Sequence, residues 1–205
     1  MQLKEVGFMK KTIKRFLCVV MCFVLILPFA LSAAAAGIDT GFTQEDFLVT
    51  KGNKIYNQKG EEIILRGVNL GSWLIQEDWL SPYEEAQDHH DMLEVLIDRF
   101  GTERAYALMN TYQDNWITEY DLDQIKEMGF NCVRVPFWYR NFYSDDNGTK
   151  ILDKNGEWDF RYLDRIVEEC SKRQIYVILD MHGAPGFQSD APHSGKRDSC
   201  RLYEN

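Results

Sequence analysis

Three short apolar runs that break off at polar residues constrain this chain most. They are Ile63-Ile64-Leu65-Arg66-Gly67-Val68-Asn69, Cys132-Val133-Arg134-Val135-Pro136-Phe137 and Tyr176-Val177-Ile178-Leu179-Asp180-Met181-His182. Rich in β-branched residues and without alternation, they read as parallel strands covered on both faces. Helical spacing fills the intervals. Met92, Leu93, Val95, Leu96 and Phe100 form one apolar stripe, Leu122, Ile125 and Met128 another, and Phe160, Leu163, Ile166, Val167 and Cys170 a third. Strands alternating with helices predict right-handed βαβ crossovers and a parallel sheet. Side chains just past the strands' C-terminal ends then converge on one face.

Turn and cap signals set the boundaries. Gly52-Asn53 between Phe47–Thr50 and Lys54–Tyr56 predicts a small N-terminal β-hairpin, and Asn57–Gly60 a second turn. Gly101 ends one helix, and Thr102 is placed to cap the next. Thr118 with Asp121 resembles a capping box. Asp145-Asp146-Asn147-Gly148 lacks the ligand spacing of a calcium loop and reads as a solvated turn.

The first 36 residues read as a secretory signal peptide, with residues 37–205 forming one domain. Lys10, Lys11, Lys14 and Arg15 precede a 14-residue apolar run, Phe16 to Phe29, and Ala33–Ala36 offer a cleavage site. The run is short for a membrane span, which takes roughly 20 residues. The mature protein is expected to be extracellular, without a membrane anchor. The formal net charge is −9, and removal of the basic leader makes it more negative. Such a surface lacks the basic footprint of a nucleic-acid binder. Cys132, Cys170 and Cys200 are too few and too scattered for a disulfide framework.

The strand ends carry the candidate chemistry. Arg134 interrupts an apolar strand, so it is either a structural ion pair or a donor fork for a carboxylate or a sugar hydroxyl. Asp180 and His182 share a strand face. They could pair on a metal or donate to a ligand, or the histidine could be structural. The segment Asn69–Leu80 sets Trp73 and Trp79 around Glu77 and Asp78. Aromatic faces with carboxylate acceptors suit a carbohydrate, and one of the two tryptophans is expected in the core.

Together, Gly-Phe-Asn-x-Val-Arg-Val-Pro at 129–136, Leu-Asp-Met-His-Gly-Ala-Pro-Gly at 179–186 and Arg-Gly-Val-Asn-Leu-Gly-Ser-Trp-Leu at 66–74 resemble glycoside hydrolase family 5, the cellulase and exo-β-1,3-glucanase family. The resemblance runs from about Phe47 to Gly195. It implies an α/β fold, a (β/α)8 TIM barrel of which about the first three βα units are present. It also implies retaining hydrolysis of β-glucans, without cofactor or metal, by a protein that is monomeric at full length. Arg134 would hold the nucleophile carboxylate, His182 would line the subsite beside the scissile bond, and Glu77 would bind hydroxyls of the terminal glucose. Asn69 would pack around that subsite, and Trp79 would offer a sugar-stacking face. In place of the aromatic that fungal exo-glucanases carry after Ala-Pro-Gly, this chain has Gln188 to Gly195. Both catalytic glutamates are expected beyond Asn205, so residues 1–205 alone are expected to be inactive. The alternative is a non-catalytic glucan-binding remnant.

Overall fold

The computed structural model describes residues 41–80 and 86–204, so the expected signal peptide lies outside the described residues. Strands β1 (Val49–Lys51) and β2 (Lys54–Tyr56) form the antiparallel hairpin, with Lys51 facing Lys54 across the Gly52-Asn53 turn. Strand β3 (Gly67–Asn69) opens the main sheet. Helices α1 (His89–Phe100), α2 (Thr102–Trp116) and α3 (Glu119–Glu127) follow. Strand β4 (Cys132–Trp138), helix α4 (Arg161–Lys172) and strand β5 (Tyr176–Gly183) complete the order. The sheet runs β3-β4-β5, all parallel.

Strand β4 lies between the other two, and Val133, Val135 and Phe137 are buried with Leu122, Ile166, Cys170 and Ile175 in the main core. A second cluster joins α1 to α2 through Met92, Leu93, Leu96, Ala105 and Met109. The Asp121 carboxylate accepts from the Thr118 amide at 2.8 Å and from its hydroxyl at 2.7 Å, forming the expected box at the start of α3. Cys132 and Cys170 are buried free thiols, and burial pushes Cys170 up to about 12.

Several expectations need correction. The first strand is only three residues long, and Ile64 is 59% exposed. In its approach the Ile63 amide donates to the Ile55 carbonyl at 2.8 Å, and the Asn131 side chain accepts from the Arg66 amide at 2.8 Å and donates to the Ile64 carbonyl at 3.0 Å. Strand β5 is longer than Tyr176–Leu179 and is not covered on both faces, because Ile178 and Leu179 are 45% and 46% exposed. It pairs with β4 on one side and has no strand on its other side among the described residues. Thr102 is the first residue of α2, and Gly101 takes the cap position without a side-chain bond. Met128 and Val167 are exposed, Met128 because α3 ends one residue before it. In the solvated turn, Asp145 accepts from the Asn147 and Thr149 amides. No helix among the described residues is long and apolar enough to cross a membrane.

Candidate active site

Parallel register places Asn69 of β3 opposite Arg134 of β4. Asp180 and His182, two residues apart on β5, lie on the same side. The result is one connected cluster at the ends of three strands. Arg134 Nη1 donates to Asn69 Oδ1 at 3.4 Å, and Nη2 is ion-paired with Asp180 Oδ2. The same carboxylate oxygen lies 2.9 Å from His182 Nδ1. Where Nδ1 carries the ring proton it donates to that oxygen, which leaves Nε2 as an acceptor. Arg134 Nη2 also lies 3.0 Å from Nδ1, and with that nitrogen protonated the contact is proximity, not a hydrogen bond.

About a third of the Arg134, Asp180 and His182 side chains meets solvent, so the ion pair lines a surface and is not sealed in the core. The loop after β5 is anchored to the cluster. Gln188 accepts from the Ala184 amide at 3.1 Å, donates to the His182 carbonyl, and the His193 ring stands 5.4 Å from the His182 ring.

After β3 the chain turns inward before it emerges. Trp73 is fully buried, and its indole donates to the Gln113 carbonyl at 2.8 Å. Trp79 emerges 73% exposed, and its indole donates to Glu77 Oε2 at 3.0 Å. One tryptophan is therefore core and the other surface. Glu77 and Trp79 form a pair of their own, and no hydrogen bond among the described residues links them to Arg134 or His182.

The period of two in a strand places Asp180 beside His182, and the structure gives it a partner the sequence did not indicate, the Arg134 guanidinium. The His193 contact had no signal in sequence. A separate group, Asp88, His90 and Asp91, brings possible metal-ligating atoms within 4.8 Å of one another. Its central carboxylate is occupied, because Asp88 accepts from the Asp91 amide at 2.8 Å and the Arg197 amide at 3.0 Å. It caps α1, whose positive end disfavours a cation.

Strand-end polar residues on a parallel sheet are a family-level arrangement, and comparison with known families decides which family it is. The model for "Cellulase (glycosyl hydrolase family 5)" matches residues 94–201, more than half of the chain. The chain belongs to glycosyl hydrolase family 5. This family 5 chain is 35% identical to a beta-xylosidase of Phanerodontia chrysosporium, over 72% of its own length and 30% of the relative's. It is 33% identical to a glucan 1,3-beta-glucosidase of Candida oleophila, over 69% of its length and 34% of the relative's. It thus spans about a third of the curated relatives it matches. The crystal structure of rutinosidase from Aspergillus niger superimposes with a TM-score of 0.55 at 23% identity, covering 68% of this chain and 38% of that one. This likeness supports a partial β/α-barrel architecture.

Proposed function

We propose that this chain forms the first three βα units of a secreted, retaining β-glycoside hydrolase that acts on β-glucan. The carrying observation is the convergence of Asn69, Arg134, Asp180 and His182 from three adjacent parallel strands. Family membership and the glucan 1,3-beta-glucosidase relatives support the substrate class. The basic and apolar leader supports secretion.

Each residue has a role its geometry allows. Arg134 is a permanent cation whose fork fixes a carboxylate in a preset orientation. Asp180 holds that fork and the His182 tautomer together, leaving Nε2 to accept from a sugar hydroxyl. Glu77 accepts paired hydroxyl hydrogen bonds, and the exposed Trp79 face stacks on a pyranose ring. Asn69 steadies the second guanidinium nitrogen. Retention of configuration requires two carboxyl groups about 5–5.5 Å apart. Asp180 is committed to Arg134 and His182 and is not cast as either of the two, and the chain functions as part of one monomeric catalytic domain.

The test is protein expressed from the whole coding frame that carries this chain, assayed on laminarin, cellulose and an aryl β-glucoside, with the first-formed anomer read by proton NMR. Cleavage of a β-glucan with the β-anomer appearing first is the expected result. An α-anomer first would overturn the retaining mechanism. No cleavage of any of the three would overturn the hydrolase reading. The exposure of Trp79 would then favour glucan binding without catalysis, read as retention on insoluble glucan that Trp79→Ala abolishes.

A further inference from the structure

We propose that a cavity of about 330 Å³ between α2 and the segment following β4 is a second ligand site, built for one neutral hydroxylated ring such as a hexopyranose unit. It is lined by a face of α2 and by Trp138, Asn141 and Tyr162, and the strand-end cluster is not part of its wall. Its volume lies at the small end of the range for ligand pockets, about 300–1,000 Å³. The proposal stands apart from the hydrolase reading, because it rests on different residues.

The face of α2 carries the argument. Tyr106, Met109, Asn110 and Gln113 fall at i, i+3, i+4 and i+7, a single helical stripe. A stripe meant only for packing would be apolar, yet this one holds a phenol and two carboxamides. Gln113 is only 6% exposed, and its carboxamide makes no hydrogen bond with any described residue. Its polar atoms are not among the sealed, unpartnered ones, so they stay open to an occupant that can bond them. The Tyr106 hydroxyl likewise has no partner among the described residues, and no other ring stacks on it. Asn141 uses its oxygen to accept from the Trp138 amide at 2.8 Å, which leaves its NH2 group to donate.

Charge narrows the ligand class. Arg140 is paired with Asp146 at 3.0 Å, and Arg161 with Asp159, so neither guanidinium is free for an anion. His89 on the cavity wall accepts from the Gln76 amide at 3.1 Å through Nδ1. Burial pushes its pKa down to about 3, so it stays neutral. A cation would find every nearby carboxylate engaged. A purely apolar occupant would leave Gln113 unsatisfied. A hydroxylated ring stacks on Tyr106 and exchanges hydrogen bonds with Gln113 and Asn141.

The test is a saturation-transfer NMR titration of the full chain with methyl β-D-glucopyranoside, in the parent and in a Glu77→Gln/Trp79→Ala background that removes the other candidate sugar contacts. Saturable binding that persists in that background within twofold, weakens at least tenfold with Gln113→Met and about threefold with Tyr106→Phe, is the expected result. Tyr106→Phe removes a hydroxyl that bonds no described residue, so it decides the question even where Gln113→Met fails to fold. Absence of saturable binding in the Glu77→Gln/Trp79→Ala background, or binding there that Tyr106→Phe leaves unchanged, would overturn the proposal and leave the cavity to water. Absence of glucan cleavage by unsubstituted protein expressed from the whole coding frame, with cavity binding intact, would overturn only the hydrolase reading.

Discussion

Arg134 on β4 and Asp180 on β5 are ion-paired across neighbouring parallel strands, and the same Asp180 oxygen also meets His182. One carboxylate therefore sets the direction of a guanidinium and the tautomer of an imidazole. Because each partner is about a third exposed, the pair falls between surface ion pairs, worth about 0–1 kcal/mol, and sealed ones. A double-mutant cycle with Arg134→Ala and Asp180→Ala, read by urea denaturation, is expected to give a coupling energy of about 1 kcal/mol. A coupling indistinguishable from zero would mean that the two side chains do not hold each other in solution.

The two tryptophans after β3 should respond in opposite ways. Trp73 is fully buried and bonded to the Gln113 carbonyl, so Trp73→Ala is expected to cost about 3–5 kcal/mol. Trp79 is largely exposed, so Trp79→Ala should change stability by less than about 0.5 kcal/mol while weakening retention on insoluble β-glucan. Thermal unfolding and a sedimentation binding assay separate the two effects. Equal destabilisation by both substitutions would contradict the exposed placement of Trp79.

These contrasts also show what the sequence could carry. Strand β4 was legible because it is central: Val133, Val135 and Phe137 are buried, and Arg134 stands out against them. The pairing of Asp180 with His182 followed from the period of a strand. The extent of β3 was not legible, because Ile63-Ile64-Leu65 has strand composition while Asn131, more than sixty residues away, takes the backbone groups that a ladder would need. Burial of β5 was misjudged for a related reason, since an apolar run looks the same at a sheet edge and in its centre. That Trp73 and not Trp79 is core depends on where α2 passes, which no local pattern encodes. The polar stripe on α2 was present in the sequence but gained meaning only with a cavity in front of it.

Acid should destabilise the fold through His89. Its ring is buried, and burial, with smaller contributions from His90 and Arg140, lowers its pKa from 6.5 to about 3. The unfolded chain then binds a proton that the folded chain refuses between those two values, so stability rises with pH across that window. The slope approaches about 1.4 kcal/mol per pH unit, the value for one proton. Below about pH 4.5 the carboxylates held low by hydrogen bonds, such as Asp145 and Asp153, add their own loss in the same direction. Denaturation free energies between pH 4.5 and 6.5 isolate the histidine, and His89→Gln, which keeps an acceptor for the Gln76 amide, is expected to flatten the slope there. A parent protein whose stability is level over that range would show that His89 is not sealed from water.

The end of β5 is fixed by contact with a single indole. Trp138 is buried, and both Gly183 and Gly195 lie against it. A Cβ on Gly183 would stand 2.4 Å from Trp138 Cδ1, 2.7 Å from the Ser194 carbonyl oxygen and 3.1 Å from Ile75 Cδ1. Two of these three neighbours give way poorly, since the indole is buried against both glycines and the carbonyl belongs to the backbone. Overpacking of this kind costs about 1–3 kcal/mol. Gly183→Ala is therefore expected to lower the melting temperature by several degrees. Because Gly183 directly follows His182, the forced shift of the strand end should also move the imidazole away from Asp180. Nitrogen chemical shifts of the His182 ring read that second effect: loss of the Nδ1-protonated signature in Gly183→Ala is expected, and retention of both signature and melting temperature would show that the strand end is not packed against Trp138.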